Sequence, residues 1–438
     1  MLSQENNELI CRVGKGTPGG ELMRQYWLPV ALSSELPEPD GAPLRVRLLG
    51  EDLVAFRDSS GQVGLVGAHC PHRGASLFFG RNEEGGLRCV YHGWKFNRDG
   101  RCVDMPNAPG SPLKDRLKHK AYPCVERAHV VWTYMGPMDP PPPLPDIPCM
   151  HLADDQVVTY KHYQEQNWLQ GIEGSIDPSH GAVLHSDIDP DTVAATAAKV
   201  LKNSDLYFET ANWSYETADL GHAAMVAAWR PLNEEQNYWR LNSFFLPCYA
   251  DAPIASGQDP AGMFFIFVPI DDEHCFHYAF TWHPMRALSE HERKFAEFAF
   301  EAEFVPGDPR RPGSQWLQVN NSTNDYGIDR EVQRTKSFSG IPIGVIQDQA
   351  ITESMGPIYD RTQEHLVDAD KGIALARRIF LRAAKALRDN GTTPPGVLDP
   401  SAYSIRAPDK YLPRSETNWL EALREFYTYR PGHNPPLP

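Results

Sequence analysis

The chain has 438 residues, 41% of them hydrophobic, enough to bury a large core and to make two or three domains. Its 42 basic and 57 acidic residues leave a formal charge of −15, which disfavours nonspecific nucleic-acid binding, and no basic patch with interleaved aromatics offsets it. Apolar runs such as residues 262–270 are far too short to cross a bilayer, so neither a nucleic-acid nor a membrane partner is expected.

The opening residues, MLSQENNELICRVGKG, lack the basic start and apolar stretch of a signal peptide. Eight cysteines lie scattered between positions 11 and 275 without the close spacing of a disulfide framework. Free, mostly buried thiols in a reducing compartment are therefore expected, which means the cytoplasm.

Residues 1–36 contain one helical candidate, at 20–27, and read as a surface cap. From Arg45 the pattern changes to short strands, RVRLL, LVAF, VGLV, LRCVY and VVWTY, parted by Gly, Asp and Asn turns. Such spacing predicts a small antiparallel β domain, here over residues 37–148. Inside it, residues 69–96 read HCPHRGASLFFGRNEEGGLRCVYHGWKF, with Cys70-x-His72 and Cys89-x-x-His92 separated by sixteen residues. Each arm supplies one thiolate and one imidazole, ligands for borderline or soft metals. Structural zinc sites usually take their cysteines as one close pair and their histidines as another, although a zinc knuckle stays open as an alternative. Pro71, Gly74 and Gly93 suit tight turns at the two tips.

The run GPMDPPPPLPDIP cannot continue a central strand or a helix and marks a boundary near residues 137–150. Over 149–438, residues 156–166 and the stretches LYFET, AMVAAW, NYWRLNSFFLP, GMFFIFVPI and CFHYAFTWHP predict one broad antiparallel sheet. Helices are predicted at 289–304, opened by a capping box of Ser289 and Glu292, and at 369–389 on an apolar stripe. The Pro- and aromatic-rich tail from Pro394 is expected to wrap the surface.

Asp177, His180 and His185 lie in a segment punctuated by Gly174, Pro178 and Gly181. A five-residue step turns too far for one helix face, so a shared metal requires a break between the histidines, which Gly181 permits. Two imidazoles and one carboxylate make the facial triad that leaves positions open on Fe(II). Among the later acids, Asp360 suits capping, while Glu353 and Glu364 fall on exposed helix faces. Asp348 follows an apolar run that carries it inward and is the preferred third ligand, with Glu353 next.

Taken together, CPH with CVYHGW, NWLQGIEGSIDPSHGAVLH, and QDQAITESMGPIYDRTQEHL resemble the Rieske non-haem iron oxygenases, catalytic α subunits, and most of all the phthalate dioxygenase branch. The resemblance implies an α+β protein: a small antiparallel β Rieske [2Fe–2S] domain, then a helix-grip (START-like) catalytic domain with a broad antiparallel sheet and flanking helices. It implies that Cys70 and Cys89 bind one cluster iron and His72 and His92 the other, the mixed ligation of such centres. By the same resemblance His180, His185 and Asp348 hold a mononuclear Fe(II), and Asp177 is the bridging acid towards a neighbouring subunit's cluster in a homotrimer or dimer of trimers. The role of Glu173, where some relatives carry Asn, is left open.

The activity implied is that of a terminal oxygenase component. It would use O2 and electrons from a separate NAD(P)H-linked flavin/iron–sulfur reductase to hydroxylate an aromatic carboxylate. Oxidative O-dealkylation or ether cleavage of a methoxy- or phenoxy-aromatic acid is the alternative, and a non-catalytic electron carrier a distant one. Arg230 and Arg240 lie in strand candidates from which either could face the substrate. Phe244, Phe245, Phe264, Phe265 and Trp282 read as core rather than as an aromatic slot.

Overall fold

The computed structural model describes residues 1–188, 213–254, 261–341 and 344–431. In the N-terminal third, eleven short strands must find partners for their backbone groups outside themselves. They are β1 (Trp27–Leu32), β2 (Leu44–Leu48), β3 (Glu51–Arg57), β4 (Val63–Gly67), β5 (Arg81–Glu83), β6 (Gly86–Arg88), β7 (Lys95–Phe96), β8 (Cys102–Asp104), β9 (Ala121–Tyr122), β10 (Cys124–Arg127) and β11 (Val130–Tyr134). They form three antiparallel sheets in the orders β1-β11-β10, β2-β3-β4-β9 and β5-β6-β7-β8. In the third sheet the loop bearing Cys89 and His92 joins the central strands β6 and β7, and the loop bearing Cys70 and His72 runs from β4 towards β5.

The expected surface cap is corrected by the burial of its side chains. Residues 1–36 hold two helices, Gln4–Cys11 and Pro18–Arg24, and Trp27 begins a strand rather than ending a helix. Ile10, Cys11, Val13, Leu22 and Met23 are fully buried, and β1 pairs with β11. Pro18 at the first helical turn, with the Thr17 hydroxyl accepting from the Gly20 amide, starts the second helix two residues earlier than the apolar pattern suggests.

A fourth, larger sheet is built from β12 (Val157–Gln164), β13 (Ser214–Asp219), β14 (Ala223–Pro231), β15 (Gln236–Phe245), β16 (Tyr249–Pro253), β17 (Gly262–Pro269), β18 (Cys275–Trp282) and β19 (Asp409–Pro413). Its order is β12-β18-β17-β16-β15-β14-β13, with β19 on β15. The strand expected at LYFET lies outside the described residues. The tail does not merely wrap the surface: Asp409–Pro413 enters the sheet beside β15, where Lys410 pairs with Trp239.

Alternation gives this sheet two different faces. One meets the N-terminal sheets: Tyr249 stands 6.4 Å from Trp132, edge to face, and its hydroxyl bonds the Trp27 carbonyl. The other carries helices Trp168–Ile176, Glu290–Phe300, Gly344–Glu353 and Lys371–Asn390. Helix Glu290–Phe300 opens on the predicted capping box, with Ser289 and Glu292 bonding each other's amides. A cavity of about 660 Å³ remains between this face and the helices.

Candidate metal centres

The two Cys/His loops are built alike. Gly74 N–H donates to the Cys70 carbonyl at 2.8 Å and Gly93 N–H to the Cys89 carbonyl at 2.9 Å; the Cys70 and Cys89 amides donate onward, to the Ala75 and Trp94 carbonyls. Gly74 and Gly93 have φ of +75° and +78°, a left-handed conformation that strains any residue with a Cβ. A Cβ on Gly93 would also lie 2.4 Å from the Pro106 ring. The two turns are those that the glycines suggested.

Cys70 and Cys89 are each 2% exposed, whereas His72 and His92 are half-buried. Burial pushes the Cys70 thiol up to about 11; the His72 amide opposes this and the adjacent Cys89 thiol adds to the rise. The His72 and His92 rings are 4.5 Å apart, and Trp94 stacks on His72 at 4.3 Å, held by its Nε1 donating to Asn107. Among the described residues, one group offers three ligand atoms all within 4.8 Å of one another, and it is not in these loops. Two thiols and two imidazoles, the imidazole rings 4.5 Å apart, are the mixed ligand set that a two-iron Rieske cluster takes.

That one group is His180, His185 and Asp348. The chain bends for it at Asp177, which ends helix Trp168–Ile176 in an extended conformation. Gly181 does not supply the break: it starts a one-turn helix, Gly181–Leu184, that His180 precedes and His185 follows. The two rings stand 5.2 Å apart and nearly perpendicular. His180 Nε2 lies 3.5 Å and His185 Nε2 3.1 Å from one Asp348 carboxylate oxygen.

Both outer nitrogens are held. His180 Nδ1 faces the Asp177 carbonyl at 2.9 Å. His185 Nδ1 faces Gln347 Oε1 at 2.7 Å, and Gln347 Nε2 in turn donates to Ser339 Oγ and the Ile341 carbonyl. Each Nδ1 therefore meets an acceptor and must carry the proton, which leaves both Nε2 lone pairs turned to Asp348 as metal ligands require. Gln347 is the functional residue that sequence reasoning missed. Its adjacency to Asp348 was the only signal, since nothing in a lone glutamine points to an imidazole 162 positions away.

Asp177 is close by. One carboxylate oxygen accepts from the Ser179 amide and hydroxyl, both at 2.7 Å, and the other lies 3.6 Å from His180 Nδ1. The other acids stand elsewhere. Glu353 and Glu364 are buried, not exposed: Glu353 accepts from Tyr326, Gln349 and the Glu165 amide, and Glu364 pairs with Arg377 at 2.5 Å. Asp360 caps a turn at Thr362 rather than a helix. Glu173 lies between Arg361 and Arg377, its side chain 12% exposed.

The triad opens onto the cavity, whose wall is largely aromatic and aliphatic, with Phe265, Phe267 and Phe300 among its residues. Phe265 thus faces the cavity, while Phe244, Phe245, Phe264 and Trp282 are buried outside its lining, as core. Arg240 lines the cavity, with Nη2 donating to the Pro253 carbonyl. Arg230 does not; it lies 5.5 Å from the Trp213 ring.

Residues 26–123 match the family described as Rieske [2Fe-2S] domain, and residues 133–421 the family described as LigXa C-terminal domain like. The chain is 38% identical over 448 aligned positions to the 3-chlorobenzoate-3,4-dioxygenase oxygenase subunit of Comamonas testosteroni, covering 97% of this chain and 98% of the relative. It is 38% identical to the phthalate 4,5-dioxygenase oxygenase subunit of Pseudomonas putida (89% and 87% covered) and 31% identical to the 5,5'-dehydrodivanillate O-demethylase oxygenase subunit of a Sphingobium (93% and 86% covered). The fold resembles that of a fluorene-bound carbazole 1,9a-dioxygenase oxygenase in complex with its ferredoxin: TM-score 0.58, 19% identity, 89% of this chain and 98% of the other. Among the described residues, no helix is long and apolar enough to cross a membrane.

Proposed function

The chain belongs to the Rieske non-haem iron oxygenases, as a catalytic α subunit, and from that premise we propose that it hydroxylates an aromatic carboxylate, with each site residue acting as follows. Cys70, Cys89, His72 and His92 hold the [2Fe–2S] cluster, and His180, His185 and Asp348 hold the mononuclear iron. When bound, the cluster supplies the stored electron and the mononuclear iron the oxygen chemistry. The observation that carries the reading is the convergence of both Nε2 atoms on Asp348 at the wall of a large aromatic cavity.

The chain's own residues bind, orient and keep dry. The Asp177 carbonyl and Gln347 fix the tautomers of His180 and His185. The phenylalanine wall excludes water from the reacting ring. Arg240, a cation on the described cavity lining, pairs a substrate carboxylate, in keeping with relatives named for chlorobenzoate and phthalate. Demethylation or ether cleavage is the second reading, favoured by the O-demethylase relative. The same site serves either outcome, because the bond placed nearest the iron decides it.

Asp177 carries the coupling between centres across a subunit boundary, in a trimer of identical chains, with a flavin/iron–sulfur reductase as electron donor. Exposed apolar side chains support such an interface at both ends: Phe79, Val90 and Tyr91 at the cluster tips, and Val183, Ile351 and Met355 beside the triad. Product analysis with a surrogate reductase over benzoates, phthalates and methoxy or phenoxy acids tests the activity. Hydroxylated or dealkylated aromatic acid is the expected product, and oxygen consumed only as peroxide across the whole panel would refute the substrate class.

A further inference from the structure

His277 stands on the cavity wall with no part in either metal centre. In the strand register it is opposite Phe267 of β17 and His162 of β12, so all three side chains rise from the face that carries the cavity. Phe267 stacks on its ring at 4.5 Å and 9°. His162, 5.6 Å away, is anchored by Nε2 to the Phe300 carbonyl at 2.7 Å. The His277 ring is thereby held in one orientation. It is 4% exposed, and among the described residues neither of its nitrogens has a hydrogen-bond partner.

Buried polar atoms nearly always find partners, and the exceptions require an explanation. Two other unpartnered acceptors line this cavity, Gln166 Oε1 and Asn242 Oδ1, but each belongs to an amide whose nitrogen is bonded, to Gln164 and to the Ser175 carbonyl. His277 alone of the three presents a whole polar group. A neutral imidazole offers one donor and one acceptor on opposite sides of the ring; a hydroxyl can pair with either nitrogen, an ether oxygen only with the donor. A purely hydrocarbon ligand would leave both buried and unmade.

Building on the oxygenase reading of this cavity, we propose that His277 recognises an oxygen-bearing ring substituent of the substrate, narrowing its class to aromatic acids that also carry a hydroxyl or ether oxygen. Phe267 positions the imidazole, and the substituent lies against the sheet while the ring faces the triad. His277 is a substrate-binding residue that selects by substituent, separate from the carboxylate contact at Arg240.

Calorimetric titration of the iron-loaded holoenzyme, without oxygen or reductase, tests this with size-matched probes: 3- and 4-hydroxybenzoate against 3- and 4-methylbenzoate. At least one hydroxyl compound is expected to bind about tenfold more tightly than its methyl partner, the worth of one buried hydrogen bond. His277→Phe keeps a flat ring against Phe267 and should remove that preference while leaving the methyl compounds bound as before. His277→Asn, which keeps a donor, should restore part of it. Equal affinities in the unaltered protein, no binding of any probe, or a His277→Phe protein that keeps the preference would each overturn the proposal. Iron content is read on the same samples: a full complement with no preference sinks only the role of His277, whereas absent mononuclear iron sinks the oxygenase reading.

Discussion

Replacing Glu173 by Gln removes one negative charge from a buried network while keeping its shape. Glu173 lies four residues before Asp177, with Oε1 2.6 Å from Arg377 Nε and Oε2 2.9 Å from Arg361 Nη2. Arg361 is fully buried and Arg377 4% exposed; after the change Arg377 keeps its pair with Glu364, and Arg361 is left without a carboxylate partner among the described residues. Leaving a buried charge unpaired costs about 3–5 kcal/mol, and the retained amide contacts place the Glu173→Gln variant near the lower end. With a urea dependence of about 3 kcal/mol/M, the catalytic domain's midpoint falls by about 1 M. Tryptophan fluorescence reads this directly.

The pH dependence has a definite sign. Burial raises the Glu173 carboxyl, but the charges and hydrogen bonds of Arg361 and Arg377 outweigh it and hold it below its ordinary value. A group depressed in the folded state stabilises fully above its unfolded pKa and loses that contribution as pH falls through the folded one. The stability gap between the unaltered protein and the Glu173→Gln variant should therefore be constant near neutrality and close only below about pH 4. A midpoint shift under about 0.3 M at pH 7, or a gap that widens on acidification, would refute the reasoning.

Asp348→Asn should drop bound iron from about three to about two per chain and abolish turnover while the cluster's colour stays, because only the triad loses a ligand. Asp177→Asn should keep both metals yet slow turnover by orders of magnitude; full activity would exclude its coupling role. Gln347→Leu frees His185 Nδ1 and should weaken mononuclear iron binding by about 10–100-fold in a chelator competition. Gly93→Ala places a Cβ against Pro106 at positive φ, and cluster content measured by visible absorbance should fall with a loss of about 1–3 kcal/mol in stability.

Much of the site was legible because metal ligands come in short spaced groups. Cys70, His72, Cys89 and His92 sit on turns whose glycines announce them, and strands such as LVAF, AMVAAW and CFHYAFTWHP declare themselves by apolar content, whereas LRCVY leaves its strand after Arg88 to form the metal loop. What escaped depends on tertiary context. Strands β5 and β7 to β9 are two or three residues long and hold only through pairing. The charges of Glu353 and Glu364 suggested solvent, but each meets its partners inside the fold. No local pattern marks Gln347 or His277, whose roles arise from elements distant in sequence.

Iron quantitation with electron paramagnetic resonance of the reduced, purified protein tests the central claim most directly. Two separate iron pockets predict about three irons per chain and the low average g-value of a diiron cluster with imidazole on one iron. Zinc in place of iron, or a reduced signal with the average g of an all-thiolate cluster, would contradict it.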